Sequence, residues 1–337
     1  MDDLASSPSR TLRIAVVGAG PAGLMAAIAA AHSGARVTVF ERMSRPGAKL
    51  LATGGGRCNL TNTLETSAFL DRFGRTASRF MRPALAALDR DALLRFFAEL
   101  GVRCQAEDGL HYFPASGNAS AVCDALRDAL TRAGGEVMCR AEGWTLWIED
   151  GQLKGLTQKG SGATFPADRV ILAAGGCAWP TLGSDGSGFA LARQAGHAIT
   201  QTVPALVPLV TEETWPGQCA GVTFADVRLR IDLPLRPPVE RTGDLLFTHR
   251  GLSGPAALDL SGEVAALLRE RPTVPLRATL TGGVTAQEWT ACLDGWRASH
   301  GRKLLRSLVA ESLPNSVAQR LCEQAAIPED LRASYIG

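Results

Sequence analysis

Three glycines at residues 18, 20 and 23, in the run Ile14-Ala15-Val16-Val17-Gly18-Ala19-Gly20-Pro21-Ala22-Gly23, form a G-x-G-x-x-G pattern that can hold a diphosphate. The chemistry follows from what each glycine lacks. Gly18 permits a tight turn, Gly20 lets a pyrophosphate approach the backbone, and Gly23 lets a helix pack closely on a strand. Pro21 and Ala22 then open the helix, whose first N–H groups face the anion. Glu41 follows 18 residues after Gly23, where an acid is placed to accept hydrogen bonds from ribose hydroxyls. The bare glycine pattern is common in ordinary βαβ turns. Here an apolar run precedes it, an alanine-rich segment follows, and Val37-Thr38-Val39-Phe40 leads to the acid, so the spacing predicts dinucleotide binding. Arg42 is placed either against an adenine or on the surface.

A second stretch is unusual. RMSRPGAKLLATGGGRCNLTN, residues 42–62, carries three consecutive glycines, Gly54, Gly55 and Gly56. Such a run suits neither a helix nor a strand interior. With Arg57, Asn59, Thr61 and Asn62 it reads as a polar loop ordered by a ligand. Later, Arg169–Leu172 forms an apolar strand ending in Ala173, Ala174, Gly175 and Gly176, a further place where backbone can approach a ligand. His249 is the best acid/base candidate outside the first domain, set against a purely structural histidine. Cys58 has no second cysteine at C-x-x-C or C-x₄-C spacing, which weighs against a redox disulfide. None of the eight cysteines joins a zinc-like set, so no metal site is expected.

The elements that position these residues follow from periodicity. A strand, an alanine-rich helix that stops near Gly34 and a second strand open the chain. Residues 76–100 read as one helix stopped by Gly101, and 119–133 as another with Val122, Leu126, Ala129 and Leu130 on one face. Short strands are expected at 102–107 and 110–113. Val137–Arg140, Trp144–Glu149 and Leu153–Lys159 read as an antiparallel meander. From about residue 200, prolines punctuate short strands, and Val227, Leu229 and Ile231 alternate with Arg228, Arg230 and Asp232. Arg228, Arg230, Arg236 and Arg241 read as a solvated sheet face rather than a nucleic-acid surface, because no aromatic residues interleave with them. After Gly282-Gly283 the pattern turns helical.

Bulk properties bound the answer. At 337 residues the chain is long enough for about two domains. Its 35 basic and 33 acidic residues balance to +2, which gives no electrostatic footprint for nucleic acid or membrane. No run of 18 apolar residues occurs. The opening MDDLASSPSR reads as a short polar lead-in without the order of a signal peptide. With dispersed cysteines, this points to a reducing cytoplasm.

Pattern alone does not separate NAD from FAD. One fingerprint, at the extreme N-terminus, favours FAD. The order of elements also resembles the FAD domain of two-dinucleotide-type flavoproteins. The later glycine cluster, Gly183-Ser184-Asp185-Gly186-Ser187-Gly188, has the wrong spacing for a second fingerprint.

A more specific resemblance rests on GAGPAGLMAA (18–27), GAKLLATGGGRCNLTN (47–62), HYFPAS (111–116), AAGGCAWPTLGSDGSGFALARQAGH (173–197), PALVPL (204–209) and LLFTHRGLSGPAALDLS (245–261). The chain resembles the FAD-dependent oxidoreductases labelled aminoacetone-oxidase-like, a family that includes a bile-acid-inducible flavoprotein reductase. The resemblance implies an α/β fold: a Rossmann-like FAD domain of parallel sheet plus meander, with an inserted β-barrel-like domain and a small helical domain. The expected bounds are 1–198, 199–284 and 285–337. Family members then return to the FAD domain, so a C-terminally shortened member is expected here. The resemblance also implies that Lys49, Leu50, Thr53, Gly54–Gly56, Arg57, Cys58 and Asn59 line the flavin. Arg57 would then place a cation near the flavin N1–C2=O edge, against the alternative that it ties the loop to backbone carbonyls. Asp185 stands where family members usually carry threonine.

The function expected is an FAD-dependent oxidoreductase. Hydride would pass through flavin N5 from NAD(P)H, a transient donor, to a small organic acceptor, by resemblance an enone C=C bond. Arg57 and His249 are the catalytic candidates. The alternatives are a flavin-dependent amine oxidase using O₂, and a flavin-poor remnant with a binding role only. The expected partner is a small-molecule substrate, with no nucleic acid and no membrane; the oligomeric state stays open.

Overall fold

The computed structural model describes residues 10–234, 237–280 and 284–335. The expected lead-in before Arg10, Arg236 and the turn at Gly282-Gly283 lie outside them. The chain divides into two compact units, one up to Thr200 and one from Gln201.

The first unit is built on a four-stranded parallel sheet. Its spatial order is Arg169–Leu172, Arg13–Val17, Arg36–Phe40, Glu136–Met138. The chain steps twice to one side of its first strand and finally returns on the other. That reversal between Arg13–Val17 and Arg169–Leu172 is the switch point at which open α/β sheets bind ligands, outside the carboxyl ends of the strands.

Helices Pro21–His32 and Ala119–Arg132 share one core with this sheet, with Leu24, Ile28, Val39, Leu126 and Leu130 buried. Proline at the first helical position pre-sets the backbone of the former. Asn118 caps the latter by accepting from the Ser120 N–H at 2.9 Å. A second core joins the sheet to a meander of Trp144–Glu149, Gln152–Gln158 and Thr164–Pro166. There Phe40 meets Trp144 and Phe165 edge-on, each at 4.9 Å.

Two sequence expectations are corrected here. Residues 136–138 are not the first meander strand. Val137 and Met138 pair in parallel with Val39 and Phe40, because the preceding helix forms a crossover that delivers them to the free sheet edge. The third meander strand is Thr164–Pro166 instead. The single helix over 76–100 is two, Arg75–Ala87 and Arg90–Glu99. Asp89 starts the second by accepting from the Ala92 N–H at 2.8 Å, a capping bond that needs a non-helical residue.

The second unit carries a five-stranded sheet, ordered Leu209–Val210, Gly251–Ser253, Glu240–Thr248, Thr223–Ile231, Leu276–Thr279. All its pairings are antiparallel, and it forms a half-barrel rather than a closed one. Val227, Leu229 and Ile231 are buried, as their alternation requires. Arg230 and Arg277 pair with Asp232 at 3.1 and 2.8 Å, and Arg241 pairs with Glu263. Helix Pro255–Leu267 covers the sheet, and Val317 of helix Asn315–Gln324 enters the same core.

Candidate nucleotide-binding site

The glycine turn has the geometry its spacing implies. Gly18 has φ +103° and donates its N–H to the Phe40 carbonyl at 2.8 Å. A Cβ at Gly23 would lie 1.9 Å from the Gly18 carbonyl oxygen, so helix and strand are in contact through glycine alone. Gly20 is the opposite case: a Cβ there would meet nothing within 4 Å. Open space above Gly20, beside a helix N-terminus with no side-chain cap and no acid in its first turn, is room for a diphosphate.

Glu41 is buried, 8 % exposed. Its Oε2 accepts the Ala19 N–H and its Oε1 the Met43 N–H, both at 2.8 Å. The carboxylate is therefore fixed below the turn, with lone pairs left to receive ribose hydroxyls.

These groups border a cavity of about 680 Å³, within the range of small-molecule and cofactor sites. Of the residues expected from the sequence, Gly18, Gly20, Pro21, Ala22, Glu41 and Arg42 line it, as do Lys49, Leu50 and Thr53. Ala173, Ala174 and Gly175 form the wall at the switch point. A Cβ at Gly18 would strike the Ala173 carbonyl at 2.5 Å, so the two strand ends touch. The fit to a dinucleotide rests on this combination of open space, free helix N–H groups and a fixed carboxylate.

The remaining expected residues are not part of the wall. Gly23 is buried beneath it, and Gly176 lies just beyond it. Gly54, Gly55 and Gly56 have φ of +60°, +66° and +89°, and Cys58 has +65°, a run of left-handed backbone in which only Arg57 is right-handed. Asn59 follows this turn. The Arg57 guanidinium carbon stands 4.2 Å from the centre of the Phe113 ring, its Nε donates to the Gly54 carbonyl at 3.3 Å, and Glu107 is 3.7 Å away. The bond to Gly54 fastens Arg57 to its own loop, and Arg57 is not among the residues that line the cavity. Burial pushes the Cys58 thiol up to about 11, so it is neutral near pH 7. His249 lies in the second unit, exposed in the turn between Glu240–Thr248 and Gly251–Ser253.

Sequence reasoning missed two parts of the site. Ala141–Thr145 and Lys159 of the meander form one. Leu182–Asp185 and Ser187 form the other. The second is signalled in the sequence by the glycines and serines at 183–188, whose spacing is not that of a fingerprint but suits a loop. Asp185 bonds Arg42 at 2.5 Å and accepts the Ser187 N–H at 3.0 Å. These donors hold its carboxyl well below the usual range, and Asp185 raises Arg42 in turn. His111 lies 2.7 Å from Asp108 through Nδ1.

Residues 12–292 match the family model described as HI0933-like protein Rossmann domain. The chain belongs to this HI0933-like family. It is 33% identical to the 3-dehydro-bile acid delta(4,6)-reductase of Clostridium scindens, over 96% of this chain and 78% of that protein. It is 28% identical to the ribosomal RNA dihydrouridine synthase of Escherichia coli, over 93% of this chain and 74% of that one. A solved flavocytochrome c3 fumarate reductase in its open conformation is similar at 20% identity and a TM-score of 0.40, over 65% of this chain and 47% of that one. The family model describes a Rossmann domain, and the bile-acid relative of 33% identity is named a reductase. Among the described residues no helix is long and apolar enough to cross a membrane, and no group of three or more His, Cys, Asp or Glu side chains is placed to hold a metal ion.

Proposed function

We propose that this protein binds FAD in the cavity at the switch point and reduces a C=C bond conjugated to a carbonyl, with NAD(P)H as transient donor. The carrying observation is the pairing of open space above Gly20 with the fixed Glu41 carboxylate, in a chain 33% identical to a delta(4,6)-reductase. The second relative's name points to the same bond class. Dihydrouridine is uridine saturated at C5–C6, a C=C bond conjugated to the C4 carbonyl. An acceptor of this kind, free or within RNA, fits both relatives. The finer placement beside aminoacetone-oxidase-like members belongs to this proposal too.

FAD, when bound, supplies the hydride chemistry. The chain's own residues bind and orient. Gly18, Gly20 and the N-terminus of Pro21–His32 receive the diphosphate, Glu41 the adenosine ribose, and Arg42 with Asp185 closes the adenosine side. Lys49, Leu50 and Thr53 extend the cavity toward the glycine turn, and Ala173–Gly176 keeps side chains away from the cofactor. Arg57, held over Phe113, presents a fixed positive charge on the loop next to Thr53.

The test is anaerobic mixing of the purified protein with FAD and then NAD(P)H. Bleaching of the visible flavin band by NAD(P)H alone, reversed by an enone or by uridine-containing RNA, is the expected result. Peroxide formed from an amine in air, without that bleaching, would establish the amine oxidase instead. A colourless protein that takes up no FAD would leave only a binding role.

A further inference from the structure

The loop between Gly175 and Leu182, both of which line the cavity, carries a strained and exposed tryptophan. Trp179 has φ +63° and ψ +67°, the left-handed region. For a bulky side chain this conformation is an outlier. Pro180 adds to the cost, since the residue before a proline is confined toward extended backbone. The conformation is locked nonetheless: the Trp179 carbonyl accepts the Leu182 N–H at 3.0 Å and the Ser184 N–H at 3.4 Å.

The protein itself draws little from this arrangement. The indole is 67 % exposed. Among the described residues no aromatic ring stacks on it, and its N–H makes no hydrogen bond. Glycine would satisfy the backbone here without strain, as Gly175, Gly183 and Gly186 do on either side of it at φ +77°, +93° and +85°. A large flat ring is held out instead, at a position where folding disfavours it.

We infer that Trp179, in the loop whose two ends line the nucleotide cavity, is a stacking platform for a flat conjugated ring. This rests on the functional reading above. Two sources share that chemistry: the cofactor's own ring system and the ring of the acceptor. Stacking on an aromatic side chain tolerates either, because each offers a π-face.

The experiment compares wild type with Trp179→Ala, Trp179→Phe and Trp179→Gly. Affinities are measured for FAD, for ADP, and for androstenedione as a ring enone probe, together with the thermal midpoint. In the cofactor arm, Trp179→Ala weakens FAD roughly tenfold, leaves ADP unchanged, and Trp179→Phe restores the affinity. In the acceptor arm, FAD and ADP are unchanged and the enone weakens by a similar factor. In both arms Trp179→Gly melts at or above the wild-type temperature, because it relieves the left-handed strain. Unchanged affinity for all three probes overturns the inference. So does a clear fall in melting temperature for the glycine variant, which would make Trp179 a structural residue. If wild type binds neither FAD nor ADP, the functional proposal fails first and this one with it.

Discussion

The Glu41 carboxylate accepts the Ala19 backbone N–H at 2.8 Å, joining the end of the second strand to the glycine turn that follows the first. Its other oxygen takes the Met43 N–H, so one buried side chain ties the glycine turn to the segment that follows its own strand. Replacing it by alanine leaves two backbone donors without their acceptor. Each such orphan costs about 1–3 kcal/mol. Glu41→Ala is therefore expected to lower the urea midpoint clearly even with no ligand present, and Glu41→Gln to lower it less. An unchanged midpoint in both would show that the carboxylate serves the ligand alone.

Two neighbouring glycines separate binding from folding. Gly20→Ala adds a methyl group into open space at an ordinary φ of −73°, so the fold should tolerate it while the diphosphate loses its approach. Gly23→Ala places a carbon 1.9 Å from the Gly18 carbonyl oxygen, an overlap that costs on the order of 1–3 kcal/mol or more. Melting curves and FAD titrations of the two variants are expected to rank in opposite order.

The Arg42–Asp185 pair makes closure of the adenosine side sensitive to acid and salt. The folded state depresses the Asp185 carboxyl, so its contribution is complete above the ordinary value of about 3.9 and is lost as pH falls through the lower folded value. Both side chains are about one-third exposed, so salt should screen the pair. Asp185→Asn is expected to flatten the acid limb of the stability profile and to remove the salt dependence of FAD release, measured by flavin fluorescence.

Thiol reactivity should follow environment rather than motif. Cys58 is buried and its thiol is held up to about 11, whereas Cys177 is exposed. Iodoacetamide at pH 7.5 is expected to label Cys177 well before Cys58 in peptide maps. Rapid labelling of Cys58 in the folded protein would contradict the burial argument.

Arg57 and His249 give contrasting expectations. Arg57→Ala removes the cation over Phe113 and the bond to Gly54, about 0.5–1 kcal/mol of contact at a half-exposed site, and frees a loop of left-handed residues. Turnover is expected to fall more than stability does. His249→Gln, at an exposed turn of the second unit, is expected to leave the pH–rate profile unchanged.

The sequence by itself determined the βαβ unit, the glycine turn between its first strand and helix, and the acid at the end of the second strand. These depend on residues close in the chain: a φ that only glycine adopts freely, a helix started by Pro21, alternation in the strands. It also located the apolar strand that ends at Ala173. Only the tertiary structure decided where Glu136–Met138 pairs, because a short strand with two candidate partners is assigned by whichever sheet edge remains open. It likewise decided that Arg57 turns toward Phe113 rather than into the cavity wall, and that Asp185 meets Arg42 across 143 residues of chain. The position of Trp179 belongs to the same class: its residue type is plain in the sequence, but the strain and exposure that give it meaning arise from bonds to Leu182 and Ser184 that form only when the loop closes.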